Sequence, residues 1–233
     1  VININLNPFQ LADNPLYLIK KSLKINRQEC PIMFYNFARS IIAFCLLVIN
    51  GRYTVQNRDK VIPAPFVLVS PHTSWLEILY LGVTIKPIKI HFMAKEELFH
   101  NKLFGKVLRG LKAFPVNRTN PGPSALKVPV KLLKDGNVLG IFPSGTRKNT
   151  HNQLKRGAVT IAKMAKVPIV PAYYDGPQNV KDWFKRHKVT IRYGEPIYMD
   201  DAKTKEALEE KSLLLVAAFE KLRLEVEASK KQK

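Results

Sequence analysis

The sequence predicts an α/β fold: a single mixed or largely parallel sheet flanked by helices, with an N-terminal membrane-associated helical segment. Three observations predict it. Short β-branched runs recur between Pro65 and Tyr193, and stretches of helical composition separate them; strands alternating with helices build such a sheet. The punctuation agrees, since Pro121 and Pro123 suit a helix start and Gly136 a helix stop. A long apolar run near the N-terminus stands apart from this alternation and ends at Gly51. Two regions follow, residues 1–50 as the helical segment and residues 51–233 as the α/β domain.

In chain order, NPLYLIKKSLKI (Asn14–Ile25) mixes Leu, Tyr and Ile with three lysines, and MFYNFARSIIAFCLLVIN (Met33–Asn50) is strongly apolar. Together they read either as one or two helices lying in a membrane interface or as core-packing helices. The longest uncharged stretch, Ser40 to Asn50, is too short to span a bilayer, and Arg39 adjoins it. No small-residue cleavage site follows, which argues against a signal peptide. Met33 opens the apolar stretch, and the residues before it read as an extension of little role. Beyond Gly51 the strands are PFVLVS (Pro65–Ser70), IKIHFM (Ile88–Met93), LKAFPVN (Leu111–Asn117), VLGIF (Val138–Phe142), PIVPAYY (Pro168–Tyr174) and VTIRY (Val189–Tyr193). Helices are expected over LEILYLG, Lys95–Arg109, Pro121–Lys134 and Leu154–Ala165, and through KEALEEKSLLLVAAFEKLRLEVEA, whose apolar period and charge spacing are helical.

Composition limits the partners. The chain carries 38 Lys and Arg against 18 Asp and Glu, a net charge of +20, so an anionic partner is expected. The surplus lies between Lys86 and Lys188, while the tail from Asp200 is balanced. Stacking aromatics do not interleave with the basic stretches and no nucleic-acid-binding module is recognisable, so no nucleic acid is expected. Two cysteines, Cys30 and Cys45, offer neither a disulfide framework nor a metal spacing; Cys45 reads as a small hydrophobe, and a reducing compartment fits.

Chemistry concentrates at strand ends, where open α/β sheets place reactive groups. VSPHTSWLEI (Val69–Ile78) sets His72 and Glu77 just past a strand. A histidine there can act as a general base, and a carboxylate can hold its tautomer and stabilise the imidazolium. On one regular helix the two would lie about 140° apart, so they pair only if His72 occupies a loop before the helix and folds back. Read alone, a histidine beside a strand is more often structural. In IFPSGTRK (Ile141–Lys148), Gly145 permits close backbone approach, Ser144 and Thr146 bring hydroxyls, and Arg147 brings a planar fork suited to phosphate. AFPVNRTNPG (Ala113–Gly122) places Arg118 at another strand end before a Pro-started helix. VPIVPAYY (Val167–Tyr174) carries no chemistry of its own and reads as a cleft wall.

Singly these are ordinary turns; their order and spacing together are not. A His-x4-acid block, an arginine strand end, an FPxGTR block and VPIVP resemble the four ordered blocks of the glycerophospholipid acyltransferase family, over about Gly51 to Pro196. The resemblance implies that residues 51–233 form an α/β acyltransferase domain. It implies that His72 deprotonates the free hydroxyl of lysophosphatidic acid, that Glu77 orients His72, and that the alkoxide attacks an acyl thioester to give phosphatidic acid. By the same resemblance Arg118 and Arg147 bind the substrate phosphate, with Lys95 of MAKEELF near the same site. Ser144, Gly145 and Thr146 belong to that substrate-binding block. The donor is acyl-CoA or acyl-carrier protein, the anionic partner a membrane surface, and no metal or other cofactor is implied. The expected location is the cell membrane, peripheral or monotopic, on its cytoplasmic face. Two positions depart from the family pattern: Glu77 stands where Asp is usual, and Ser144 where Glu is usual. Another lysophospholipid acceptor, or a non-catalytic basic protein binding membrane or nucleic acid, are the alternatives.

Overall fold

A computed structural model describes residues 15–71, 74–117, 123–143, 150–178, 182, 188–202 and 204–231. Seven strands form one sheet: β1 (Tyr53–Gln56), β2 (Val67–Val69), β3 (Ile90–Lys95), β4 (Phe114–Val116), β5 (Val138–Ile141), β6 (Ile169–Asp175) and β7 (Val189–Tyr193). Their order is β1-β7-β6-β2-β5-β3-β4. The pairs β6–β2, β2–β5, β5–β3 and β3–β4 are parallel, β7 runs antiparallel to β6, and β1 pairs parallel with β7. The sheet is therefore mixed, with a parallel centre.

Central strands are buried on both faces, as parallel sheets require. In β2 and the residue before it, Phe66 and Leu68 enter one core, which includes Leu76, Tyr80 and Leu46. Val67 and Val69 enter the other, with Leu133, Val159, Ala162 and Leu215. The first core lies under α1 (Pro15–Asn50) and α2 (Leu76–Thr84); the second lies under α4 (Ser124–Lys134), α5 (Thr150–Ala165) and α6 (Lys205–Lys231). A further helix, α3 (Lys102–Gly110), connects β3 to β4.

Several elements differ from the expectation. The run Lys95–Arg109 is not one helix. Lys95 ends β3, a 3₁₀ turn covers Glu96–Phe99, and α3 starts afresh at Lys102. The cause is Asn101, whose side-chain oxygen accepts hydrogen bonds from the Leu103 and Phe104 N–H groups at 3.0 Å, an N-cap that sets a new helix start. Strand β1, YTVQ, escapes notice in the sequence because it is short, half polar and at the sheet edge. Helix α5 begins at Thr150, before the expected Leu154. Gly136 does end α4, with φ of 81°.

The N-terminal region is one continuous helix of 36 residues. Tyr35, Arg39, Leu46 and Asn50 form its buried face, following the helical period. Arg39 donates to the Ile88 carbonyl (3.1 Å) and to Asn36 Oδ1 (3.1 Å), with its guanidinium beside the Tyr35 ring. Met33, Phe37, Ile41, Phe44, Leu47 and Val48 point outward, and Cys45 is exposed with them. The sequence counted Arg39 against a bilayer-spanning segment, but the Arg39 charge turns inward. The window Met33–Asn50 is long and apolar enough to cross a membrane and is only 22% buried, which suggests membrane association.

Candidate active site

The register of the parallel strands gathers the carboxyl ends that matter. Val69 of β2 lies opposite Ile141 of β5, Phe92 of β3 opposite Gly140, and Lys95 of β3 opposite Val116 of β4. These ends share one sheet edge, where ligand sites of open α/β folds are found. Of the expected site residues, Glu77 and Lys95 are described there. His72, Arg118, Ser144, Gly145, Thr146 and Arg147 lie outside the described residues. Their described neighbours Pro71, Asn117 and Pro143 each follow one of these strand ends.

Glu77 is the second residue of α2 and its side chain is fully buried. A carboxylate removed from water needs compensation. The helix N-terminus supplies part of it, because its free N–H groups favour negative charge. Ser70 supplies more: its hydroxyl donates to Glu77 Oε1. Ser70 is itself buried, and its backbone N–H donates to the Ile141 carbonyl of β5 (3.3 Å), so sheet register aims the hydroxyl. Helix α2 begins at Leu76. Position 72 therefore precedes the helix, as a pairing of His72 with Glu77 requires.

Ser74 shapes the same turn. Its carbonyl accepts from the Glu77 N–H (3.3 Å), its Oγ accepts from the Leu76 N–H (3.3 Å), and its hydroxyl donates to the Gln178 carbonyl (3.4 Å). Tyr174 of β6 is buried close by and donates to the Pro177 carbonyl (3.1 Å). Burial chiefly, then the neighbouring Tyr80 and the negative charge of Glu77, push its phenol far above the usual range, so it stays neutral. The VPIVPAYY strand thus brings the buried Tyr174 near Glu77.

Lys95 is over half exposed and forms an ion pair with Glu97 (3.0 Å). Such a pair in solvent is worth little, so Lys95 can exchange Glu97 for an anionic ligand at small cost. At the end of β5, the rings of Phe92 and Phe142 stack with centroids 5.5 Å apart and planes at 19°. Gly140 makes room for this stack: a Cβ there would lie 2.4 Å from Phe92 Cε1. Among the described residues, no three His, Cys, Asp or Glu side chains group as a metal site.

Two roles were not readable from the sequence. Ser70 as the donor to Glu77 carries no signal beyond being a hydroxyl residue at a strand end. Ser74 as the organiser of the turn has the sequence signal of a Ser two residues before a helix.

A mixed sheet with a parallel centre, and a buried carboxylate at the head of the helix after β2, fit the fold of an acyltransferase domain. The acyltransferase family profile matches residues 52–175, and the chain belongs to that family. It is 49% identical over 158 residues to the 1-acyl-sn-glycerol-3-phosphate acyltransferase of Bacillus subtilis, an alignment covering 67% of this chain and 79% of that protein. It is 41% identical over 174 residues to the enzyme of the same name from Streptococcus pneumoniae, covering 73% of this chain and 65% of that one. The crystal structure of the 1-acyl-sn-glycerophosphate acyltransferase PlsC from Thermotoga maritima matches with a TM-score of 0.65, covering 84% of this chain and 83% of that one. At 19% identity this last likeness concerns the fold.

Proposed function

We propose that this chain transfers a fatty acyl group from an acyl thioester to the free hydroxyl of 1-acyl-glycerol-3-phosphate, giving phosphatidic acid. The observation that carries the reading is the buried Glu77 carboxylate, held by Ser70 at the head of α2, five residues after His72. A carboxylate kept in a dry, hydrogen-bonded place suits the orientation of a catalytic imidazole.

In this mechanism His72 removes the proton of the acceptor hydroxyl as its oxygen attacks the thioester carbonyl carbon. The carbonyl electron pair moves onto oxygen, and backbone N–H groups of Ser144, Gly145 and Thr146 stabilise that oxyanion. Collapse of the tetrahedral intermediate breaks the C–S bond, and the leaving thiolate takes the proton from His72. Glu77 holds the imidazole and stabilises its charged form. Arg118, Arg147 and Lys95 bind the acceptor phosphate, the arginines through their planar forks. The donor is acyl-CoA or acyl-carrier protein.

Residues 1–50 form the membrane-associated segment and residues 51–233 the acyltransferase domain. The enzyme sits as a peripheral or monotopic protein on the cytoplasmic face of the cell membrane. The net charge of +20 supports attraction to an anionic lipid surface.

The test is an acyl-transfer assay in vesicles with 1-acyl-glycerol-3-phosphate and each donor, run on the wild type and on His72→Ala. The expected result is phosphatidic acid from the wild type and a loss of about 10²–10⁴-fold in the variant. Equal turnover of lysophospholipids lacking the terminal phosphate would overturn the acceptor. Near-wild-type turnover by His72→Ala would overturn the mechanism.

A further inference from the structure

Helix α3, KLFGKVLRG, carries three basic residues and no acidic one. Plotted at about 100° per residue, its surface divides into three arcs. Gly105 and Leu108 face the protein, and Gly105 packs on Phe99, where a Cβ would lie 3.0 Å from the Phe99 carbonyl oxygen. Lys102, Lys106 and Arg109 form a second, exposed arc. Leu103, Phe104 and Val107 form a third, with Leu103 75% exposed and Phe104 49%. An apolar arc beside a wholly basic one has no use for a core, because neither is buried. It has the composition of a helix lying in a lipid headgroup layer, apolar side down and cations at phosphate level.

The apolar arc also continues beyond α3. Phe34 of α1 packs on Gly110, where a Cβ would meet its ring at 2.4 Å. Phe34 belongs to the outward side of α1, beside Phe37, Ile41, Phe44 and Val48. The exposed apolar surfaces of the two helices thus meet at one point. Their combined surface exceeds what isolated exposed side chains need explaining, and the cations at its border match an anionic surface.

We propose that α3 is a second membrane-docking element, whose Leu103, Phe104 and Val107 enter an anionic bilayer beside α1 while Lys102, Lys106 and Arg109 contact lipid phosphates. The proposal rests on the membrane reading of α1. Helix α3 follows the carboxyl end of β3, which bears Lys95, so docking through its first turn, with Leu103 and Phe104, brings that edge of the sheet to the lipid.

The test compares the full chain, Leu103→Gln/Phe104→Gln, and a control, Leu213→Gln/Leu214→Gln, which removes exposed apolar residues from α6. Each is sedimented with phosphatidylcholine vesicles containing phosphatidylglycerol, after circular dichroism has checked its folding. The expected result is a fall of about tenfold or more in vesicle affinity for the α3 variant, with no change for the α6 control. Val107→Gln alone, a milder change, follows in the same direction. Unchanged affinity of the α3 variant overturns the proposal and leaves the α1 reading standing. A wild type that does not sediment with vesicles overturns both. A wild-type dimer that the α3 substitutions split, with vesicle binding unaltered, assigns the face to a second copy and overturns the lipid.

Discussion

The Ser70 hydroxyl donates to the buried carboxylate of Glu77, tying the end of β2 to the first turn of α2. Both partners are fixed from elsewhere, Ser70 by its N–H bond to the Ile141 carbonyl and Glu77 by its place in the first turn of α2. Ser70→Ala leaves one oxygen of a buried carboxylate without this donor. The expected cost is about 1–3 kcal/mol of stability, read from urea unfolding, together with a fall in kcat at little changed KM. Glu77→Ala is expected to impair turnover more severely, while Glu77→Asp keeps measurable activity, since it keeps the carboxylate. Full activity in Glu77→Ala would remove the orienting role.

Phosphate recognition separates along a different axis. Arg147→Lys keeps the charge and loses the planar fork. It is expected to raise the apparent KM for 1-acyl-glycerol-3-phosphate and leave that for the donor nearly unchanged. Arg118→Ala is expected to behave the same way and more severely, by roughly tenfold to a hundredfold, because it removes a charge-assisted hydrogen bond outright. Steady-state series varying acceptor and donor separately decide it. A shift confined to the donor's KM would assign the arginines to the donor's phosphates.

Gly140 bears on the packing at the end of β5, just before Pro143. Gly140→Ala puts a Cβ where the Phe92 ring lies, with Ile90 Cγ2 also at 2.8 Å. Phe92 must leave its stack on Phe142, the residue before Pro143. The expected result is a loss of about 1–3 kcal/mol on thermal or urea unfolding, with lower activity below the transition. A variant as stable and active as the wild type would show that the stack adapts freely.

The two faces of α1 are expected to answer differently to substitution. Leu46 is buried in the core, so Leu46→Ala costs about 2–5 kcal/mol of stability. Phe37→Ser/Phe44→Ser alters only the outward face, and it is expected to weaken vesicle binding while the unfolding midpoint holds. Deleting residues 1–50 would confuse the two effects, because it also strips Tyr35 and Leu46 from the core. A destabilised Phe37→Ser/Phe44→Ser chain with undiminished vesicle binding would reverse the assignment of that face.

What the sequence made legible follows physical lines. The central strands β2 and β5 could be read because burial on both faces makes apolar runs, as in PFVLVS and VLGIF. Strand β1 could not, since Thr54 and Gln56 break the run at a sheet edge. The division of Lys95–Arg109 was hidden because Glu, Leu and Lys all favour helix, and Asn101 alone marks the new start. At the candidate site, the spacing to His72 and the family block single out Glu77, and its burial at the head of α2 is what the structure adds. Ser70 was not, because its role depends on the pairing of β2 with β5, which no local pattern encodes. The inward turn of Arg39 was hidden for a similar reason: composition counts a charge without saying which way it faces.

The inward face of α1 also governs how separable this helix is from the sheet domain. Tyr35 Oη accepts from the Ile90 N–H (3.4 Å), Arg39 donates to the Ile88 carbonyl, and Asn50 Nδ2 donates to Tyr80 Oη (3.2 Å). Ile88 and Ile90 lead into or belong to β3, and Tyr80 belongs to α2, the helix that opens with Glu77. A foreign anchor grafted at Gly51 would leave those groups unpartnered and Leu46's place in the core empty. Helix α1 is accordingly no interchangeable tether. Chimeras between relatives should exchange α1 together with β3 and α2, as one inherited piece.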